Sequence, residues 1–352
     1  MTRPNAPPAE VLASYGFRPA SVAAIDVGNI NKTFVATRAG ERFILQWLNP
    51  IFGPEVHSDI EAVTAHLEHK GLRTQRLART RAGELWVRAA DGGVWRALTY
   101  VDGEILSAGA TARHCLSGGR LLGRFHRAVA DLEHVFGNVR PGVHDTPRHL
   151  RHLDEVLRGM TAHPAQALVA PVGRAILAAA AKLPAIGPLP PRIVHGDPKL
   201  NNVVFSAAGE AVCLIDLDTL SSMTIPIELG DAFRSWCNPV GEDSVTAHFD
   251  LELYAAGIGG YAEATAGFLS AVEIEAIPVM IETVCLELAS RFCADALEER
   301  YFGWDRRRFR TASEHNLLRA RCQLGLAASV AAQRPAISGL TRDRFAAAAP
   351  RQ

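Results

Sequence analysis

Two short apolar runs, each closed by a polar cluster, constrain this chain more than any other feature. The first is Ile193-Val194, followed by His195-Gly196-Asp197-Pro198-Lys199-Leu200-Asn201-Asn202, after which Val203-Val204-Phe205 resumes the apolar pattern. The second, Val212-Cys213-Leu214-Ile215, runs into Asp216-Leu217-Asp218. Between them Ser206-Ala207-Ala208-Gly209-Glu210 reads as a turn, so a hairpin is expected to set Asn202 and Asp216 side by side. Asn, Asp, His and Lys are costly to bury without partners, so both clusters should line a cleft.

The rest of the chain divides around this block. Residues 21–101 carry short alternating runs such as Phe43-Ile44-Leu45 and Trp95-Arg96-Ala97-Leu98, separated by turn signals such as Asp91-Gly92-Gly93. These predict antiparallel strands joined by hairpins. One segment, residues 58–70, has Ile60, Val63 and Leu67 at helical spacing with Ser58 as cap. Residues 107–186 read as helices, and Pro184 to Pro191 ends that region. The stretch from 219 to about 333 reads as helical, with a break near Pro239 and Gly241, and residues 334–352 read as a frayed tail. The expected fold class is α+β. A small antiparallel β-rich N-terminal lobe (1–101) precedes a larger, mostly helical C-terminal lobe (102–352). A length of 352 residues suits two lobes sharing a cleft.

Composition narrows the partners. Lys+Arg and Asp+Glu are both 37, so no basic excess marks a nucleic-acid surface. The six cysteines show no metal or redox spacing and sit in apolar runs, as reduced core thiols do. The N-terminus has no apolar stretch for a signal peptide, and no segment is long enough to span a bilayer. A soluble, cytoplasmic protein without membrane partners is expected, monomeric or homodimeric.

The polar block suits phosphoryl transfer from ATP. A carboxylate two residues after a His in a rigid loop, Asp197, can orient an acceptor hydroxyl and take its proton. Mg²⁺ takes hard oxygen ligands, commonly one or two protein groups plus phosphates and water. The Asn202 carbonyl and the Asp216 carboxylate meet that demand. Lys199 can stabilise charge on the transferring group.

His195-x-Asp197-x-x-x-x-Asn202 followed by Ile215-Asp216 resembles the catalytic loop and metal Asp of the aminoglycoside phosphotransferase/choline kinase superfamily, a branch of the protein-kinase-like fold. Several further blocks are similar to those of bacterial N-acetylhexosamine 1-kinases. They are Gly28-Asn29-Ile30-Asn31, Phe43-Ile44-Leu45-Gln46, Ile215-Asp216-Leu217-Asp218-Thr219, Gly230-Asp231-Ala232-Phe233-Arg234-Ser235 and His315-Asn316-Leu317-Leu318-Arg319-Ala320-Arg321. The resemblance covers roughly residues 20–330. It implies ATP and Mg²⁺ as cofactors, Asp197 as catalytic base, Asn202 and Asp216 as metal ligands and Lys199 near the γ-phosphate. It also implies that His195 holds the loop by hydrogen bonding and that Asp218 ligates through water or braces the loop.

On the nucleotide side, the segment containing Gly28, Asn29 and Asn31 is the candidate phosphate-covering turn. Kinases carry a Lys at the end of the next strand; here the strand ends in Gln46 and Trp47. Related hexosamine kinases also use Gln there, often with an Arg beside it that this chain lacks. Arg42 or Lys32 could supply the charge, and Glu61 could pair with Gln46 or a cation. The stretch Leu98-Thr99-Tyr100-Val101-Asp102-Gly103 resembles the hinge, so the backbone at Thr99 and Val101 is expected to read the adenine edge. Trp95 reads as core.

On the acceptor side, Asp231 is expected to brace the catalytic loop, as its family position suggests. Arg234 is a cleft or ion-pair residue. Glu228, Arg291, Asp295, Tyr301, Trp304 and Asn316 are the polar or aromatic candidates for a small-molecule acceptor site, most readily a sugar. Arg306-Arg307-Arg308 reads as a solvated surface, and His126 as packing. Two other readings stay open: a kinase of another alcohol (aminoglycoside, choline, homoserine) and a nucleotide-binding pseudokinase.

Overall fold

The computed structural model describes residues 4–25, 31–138 and 142–349. Helix α1 (Ala9–Tyr15) precedes strands β1 (Val22–Ile25), β2 (Lys32–Arg38) and β3 (Glu41–Leu48). Helix α2 (Val56–His69) follows, then β4 (Leu77–Ala78), β5 (Val87–Arg88) and β6 (Val94–Thr99). These strands form one antiparallel sheet in the order β1-β2-β3-β6, with β4 and β5 both pairing with the far edge of β6.

Period-two alternation sorts the side chains of this sheet. Phe43, Leu45, Trp47, Trp95 and Ala97 pack with Val11, Leu12 and Tyr15 of α1. Ile44, Leu48 and Leu98 turn to the other face, toward Ile60, Val63 and Leu67 of α2. Gln46 and Arg96 share that second face by parity and sit opposite each other in the β3–β6 register.

Beyond Thr99 the chain crosses to the helical part at Gly103. There φ is +154°, and a Cβ would lie 2.4 Å from the Phe205 carbonyl oxygen, so only glycine fits. Strand β7 (Glu104–Ile105) leads into α3 (Ala112–Ala128), α4 (Thr146–Gly159) and α5 (Gln166–Ala180). The polar block follows as β8 (Arg192–Val194), β9 (Val203–Phe205), β10 (Ala211–Leu214) and β11 (Ser221–Met223). β9 pairs with both β10 and β7, while β11 pairs with β8.

Helices α6 (Ile225–Trp236), α7 (Leu251–Ala264), α8 (Ala271–Glu298) and α9 (Ala312–Ala348) complete the chain. α8 packs against α4, α5, α6 and α9. Its sequence is apolar on several sides, with Ile277, Ile281, Val284, Leu286, Phe292 and Leu297 all buried, as a central helix requires. The α+β class is as expected.

The frayed tail expected from residue 334 is not. α9 continues to Ala348, because Ile337, Thr341 and Phe345 recur every fourth residue and are buried. The Tyr254 hydroxyl of α7 lies 2.6 Å from Thr341 Oγ1. Pro335 lies inside this helix, which continues past it. The six cysteines are buried and unpaired. Among the described residues no helix is long and apolar enough to cross a membrane.

Candidate active site

The catalytic-loop residues follow β8, and the β9–β10 hairpin returns the chain beside them. The Ile215 peptide N–H donates to the Asn202 carbonyl at 2.9 Å, so Asn202 and Asp216 do become neighbours. The loop turns at Gly196, where φ is +86° and a Cβ would lie 2.1 Å from the Thr219 carbonyl oxygen. His195 is fully buried. Its Nε2–H donates to the Ile215 carbonyl at 2.9 Å, and its Nδ1 accepts from the Asp197 peptide N–H at 3.3 Å. Burial holds this imidazole below its usual pKa, which keeps it neutral in the tautomer that ties the two polar clusters together.

Asp197 Oδ2 accepts from Lys199 Nζ at 2.5 Å and from Asn202 Nδ2 at 3.1 Å. Among the described residues Oδ1 has no donor. Burial alone would raise the Asp197 pKa. The Lys199 ammonium, with the Arg234 guanidinium, outweighs burial and holds the carboxyl below its usual range. Burial likewise opposes the Lys199 charge, but Asp197 and Asp216 raise its pKa well above the ordinary value. The result is an ionised carboxylate with one open oxygen.

Asn202 Nδ2 is committed to the Asp197 carbonyl and carboxylate, which fixes the amide's orientation. Among the described residues no donor reaches its Oδ1 or the Asp216 carboxylate. Asp216 sits in the left-handed region (φ 64°, ψ 57°), which costs a non-glycine residue about 1–2 kcal/mol and is tolerated best by Asn and Asp. Burial and the neighbouring Asp218 carboxylate push its pKa up to about 6. An amide oxygen and a crowded carboxylate, both without donors, fit a hard divalent cation. No group of three His, Cys, Asp or Glu among the described residues could hold a metal alone. A site of this kind therefore needs ligands from a bound phosphate chain or water.

Helix α6 holds the loop, through a residue the sequence reading assigned elsewhere. Glu228, a candidate for the acceptor, accepts from the peptide N–H groups of His195 (3.0 Å) and Gly196 (2.8 Å) and from His126 Nε2 (3.0 Å). Ser235 Oγ and Trp236 Nε1 bind the Leu200 amide and the Pro198 carbonyl at the other end of the helix. Asp231, expected as the brace, pairs instead with Arg234 Nε at 2.8 Å. It lies one turn after Glu228, past the loop amides. His126 is more than packing, since its Nδ1 accepts from the Tyr261 hydroxyl at 2.8 Å.

Burial works to raise the Glu228 pKa, but hydrogen bonds from His126 and the Gly196 amide hold it below the usual range. A depressed pKa means stability that is present above the unfolded value of 4.5 and lost as pH falls through the folded one. Glu228→Gln should therefore cost about 2–4 kcal/mol at pH 7 by urea unfolding. The gap to the native protein should narrow below about pH 4. A gap independent of pH would refute an ionised brace.

On the nucleotide side, Gly28 and Asn29 lie outside the described residues. Asn31 is placed in the cleft: its Nδ2 donates to Asp218 Oδ2 at 2.7 Å, and its Oδ1 accepts from the Asn49 amide. Gln46 accepts from Arg96 Nε at 3.0 Å and Nη2 at 2.8 Å, and Arg96 also forms a buried ion pair with Asp218. Arg42 does not reach this point. It pairs with Asp102 and stacks on Tyr100. Glu61 pairs with Arg76 and Arg79 rather than with Gln46. Arg96, on β6, is the cation the sequence reading did not name beside Arg42 and Lys32. The signal was a lone charge in the alternating run Val94-Trp95-Arg96-Ala97-Leu98.

Thr99 must also be corrected as an adenine-reading position. Its peptide N–H donates to the Arg76 carbonyl, its carbonyl accepts from Gln75 Nε2 and its hydroxyl accepts from the Arg76 amide. Backbone and side-chain bonds to Gln75 and Arg76 engage all three groups. The Val101 peptide makes no hydrogen bond among the described residues.

On the acceptor side, Arg234 is buried between Asp231 and Glu242, with Nη1–Oε1 at 2.5 Å to the latter. Its charge helps depress Asp197, which places this network beside the loop. Among the described residues Arg291 and Tyr301 form no hydrogen bond or ion pair with Asp231, Arg234 or Glu242. Arg291 Nη2 reaches the Tyr301 hydroxyl at 3.4 Å, and Tyr301 is exposed. Asp295 and Asn316 are spent on structure: Asp295 accepts from the amides of residues 300–302 and from Asn316 Nδ2.

Comparison with known proteins agrees with this geometry. Residues 21–266 match the phosphotransferase enzyme family. Among solved structures, an amicoumacin kinase in complex with AMP-PNP, Ca²⁺ and Ami is similar at TM-score 0.62 and 14% identity, over 90% of this chain and 91% of that one. A microcompartment-associated aminopropanol kinase is similar at TM-score 0.64 and 16% identity, over 92% and 97%. An aminoglycoside phosphotransferase from Alicyclobacillus acidocaldarius is similar at TM-score 0.60 and 16% identity, over 98% of both chains. At such identities the structures show a shared fold. The family match spans most of the chain and both polar clusters, and by it the chain belongs to the phosphotransferase enzyme family and acts on an alcohol group as acceptor.

Proposed function

We propose that this chain is an ATP- and Mg²⁺-dependent kinase of a small neutral alcohol, with the anomeric hydroxyl of an N-acetylhexosamine or related sugar as acceptor. The nucleotide would lie against residues 1–101, and the acceptor against residues 102–352. The observation that carries the reading is the Asp197 carboxylate, ionised, clamped on one oxygen by Lys199 and Asn202 and open on the other. In this reading Oδ1 accepts the hydroxyl hydrogen and aims the alcohol oxygen at the γ-phosphorus. A base held at low pKa suits a loose transition state, in which orientation and charge placement matter more than proton abstraction. Lys199 would stabilise negative charge on the transferring group, and His195 would keep the loop in shape. Asn202 Oδ1 and Asp216 would hold Mg²⁺, which would supply positive charge against that of the phosphates.

A neutral acceptor is favoured by the charge pairing around the loop. Asp231 and Glu242 are taken by Arg234, Glu287 by His144 and Thr146, and Glu228 by the loop amides. A cationic amine would find these carboxylates already engaged. The motif blocks similar to hexosamine 1-kinases point the same way. A phosphate-transfer screen over N-acetylhexosamines, choline, ethanolamine, homoserine and an aminoglycoside tests it. Turnover on a hexosamine is expected. Turnover only on the amines would replace the acceptor, and no turnover on any of them would sink the kinase reading.

A further inference from the structure

The cation missing at Gln46 on β3 stands one strand away. Arg96 on β6 is 1% exposed, and its guanidinium touches Gln46 through Nε and Nη2 and Asp218 through Nη1 and Nη2. The antiparallel register puts it opposite Gln46 on the face that looks away from α1. Asp218 follows Asp216 by two residues and also accepts from Asn31, at the end of the candidate phosphate-covering turn. Gln46 Nε2 continues the network to Thr33 Oγ1 at 3.3 Å. The guanidinium is thus bracketed by β2, β3 and the segment after β10.

A buried ion pair is weak as a stabilising device, because desolvating both charges offsets most of their attraction. Its persistence here calls for another use. The arrangement is that of a cation steadied by a carboxylate, which is how kinases present charge to the α- and β-phosphates. The elements differ. Helix α2 gives Arg96 no carboxylate. It places His57 nearby, whose pKa burial and the Arg96 charge push down to about 4. The carboxylate comes instead from Asp218. One Nη1 hydrogen of Arg96 has no acceptor among the described residues. A guanidinium is also less strongly hydrated than an ammonium, and its planar fork suits phosphate oxygens.

We propose that Arg96 binds the phosphate chain of the nucleotide, in place of the strand cation that β3 lacks at Gln46. The assignment rests on the nucleotide reading of the site given above. Binding of ADP and of adenosine is measured by calorimetry with EDTA and again with Mg²⁺, without acceptor. In Arg96→Gln/Asp218→Asn both charges leave together, so no buried carboxylate is stranded. ADP affinity in EDTA should fall about 10–100-fold, with adenosine affinity within about twofold of the native protein. Arg96→Lys keeps the ion pair and hence the fold. Its shorter, fork-less ammonium should bind ADP about 3–10-fold more weakly.

Unchanged ADP affinity in either folded variant would overturn the proposal. Loss confined to the Mg²⁺ arm would also overturn it, since Arg96 would then act through Asp218 on the metal loop. So would equal loss of adenosine, which signals damage to the fold. A native protein that binds neither ADP nor adenosine refutes the nucleotide reading itself, an outcome the variants cannot mimic.

Discussion

Asp197→Asn is expected to lower kcat by about 10²–10⁴-fold while the protein stays folded. Asparagine keeps the shape and can still accept from Lys199 or Asn202 through its oxygen. It cannot carry the charge that orients the acceptor hydroxyl, nor take the proton that the new phosphate ester releases. Lys199 loses its closest counter-charge, yet Asp216 still acts on it, so the loop should hold. The measurement is steady-state turnover on the acceptor found by the screen, with Mg²⁺–nucleotide affinity and thermal midpoint recorded on the same preparations. A kcat within tenfold of the native value would remove Asp197 from the chemistry. A collapsed midpoint would move it to structure.

Asp216→Asn should separate stability from function. The substitution keeps a side chain that tolerates φ 64° and removes the crowded charge. Replacing the charged one of the two proposed protein ligands by a neutral amide oxygen should weaken Mg²⁺-dependent nucleotide binding by about 10–100-fold. The stability of the metal-free protein should move the other way. A carboxyl whose pKa rises from 3.8 to about 6 on folding is neutral in both states below the lower value, costs stability progressively as pH rises between the two, and costs it in full above the higher one. In EDTA at pH 8 the variant should therefore be more stable than the native protein by about 2–3 kcal/mol. That gain should vanish near pH 4. A variant that binds Mg²⁺–nucleotide normally, or that is destabilised at pH 8, would contradict the metal assignment.

Much of the fold was legible because local rules decide it. The alternation in Phe43-Ile44-Leu45 and Trp95-Arg96-Ala97-Leu98 gave strands, and the spacing of Ile60, Val63 and Leu67 gave α2. The turn at residues 206–210 gave the β9–β10 hairpin. The failures share one cause. Whether residues 334–348 are a tail or a helix depends on α7 being there to cover Ile337, Thr341 and Phe345. Whether Asp231 or Glu228 braces the loop depends on which turn of α6 meets β8. Whether Thr99 can read adenine depends on Arg76 having taken its peptide N–H first.

By itself the sequence determined the kind of chemistry, because Asp197, Asn202 and Asp216 lie close enough along the chain for a loop and one hairpin to bring them together. The partner of the buried Arg96 was decided by tertiary structure alone. Arg96 and Asp218 are 122 residues apart, and no local pattern states a strand register. Antiparallel pairing of β3 with β6 sets Arg96 opposite Gln46, and packing the sheet against the loop after β10 brings Asp218 to it. A buried charge is stable only with such a partner, and only the folded chain shows which one it has.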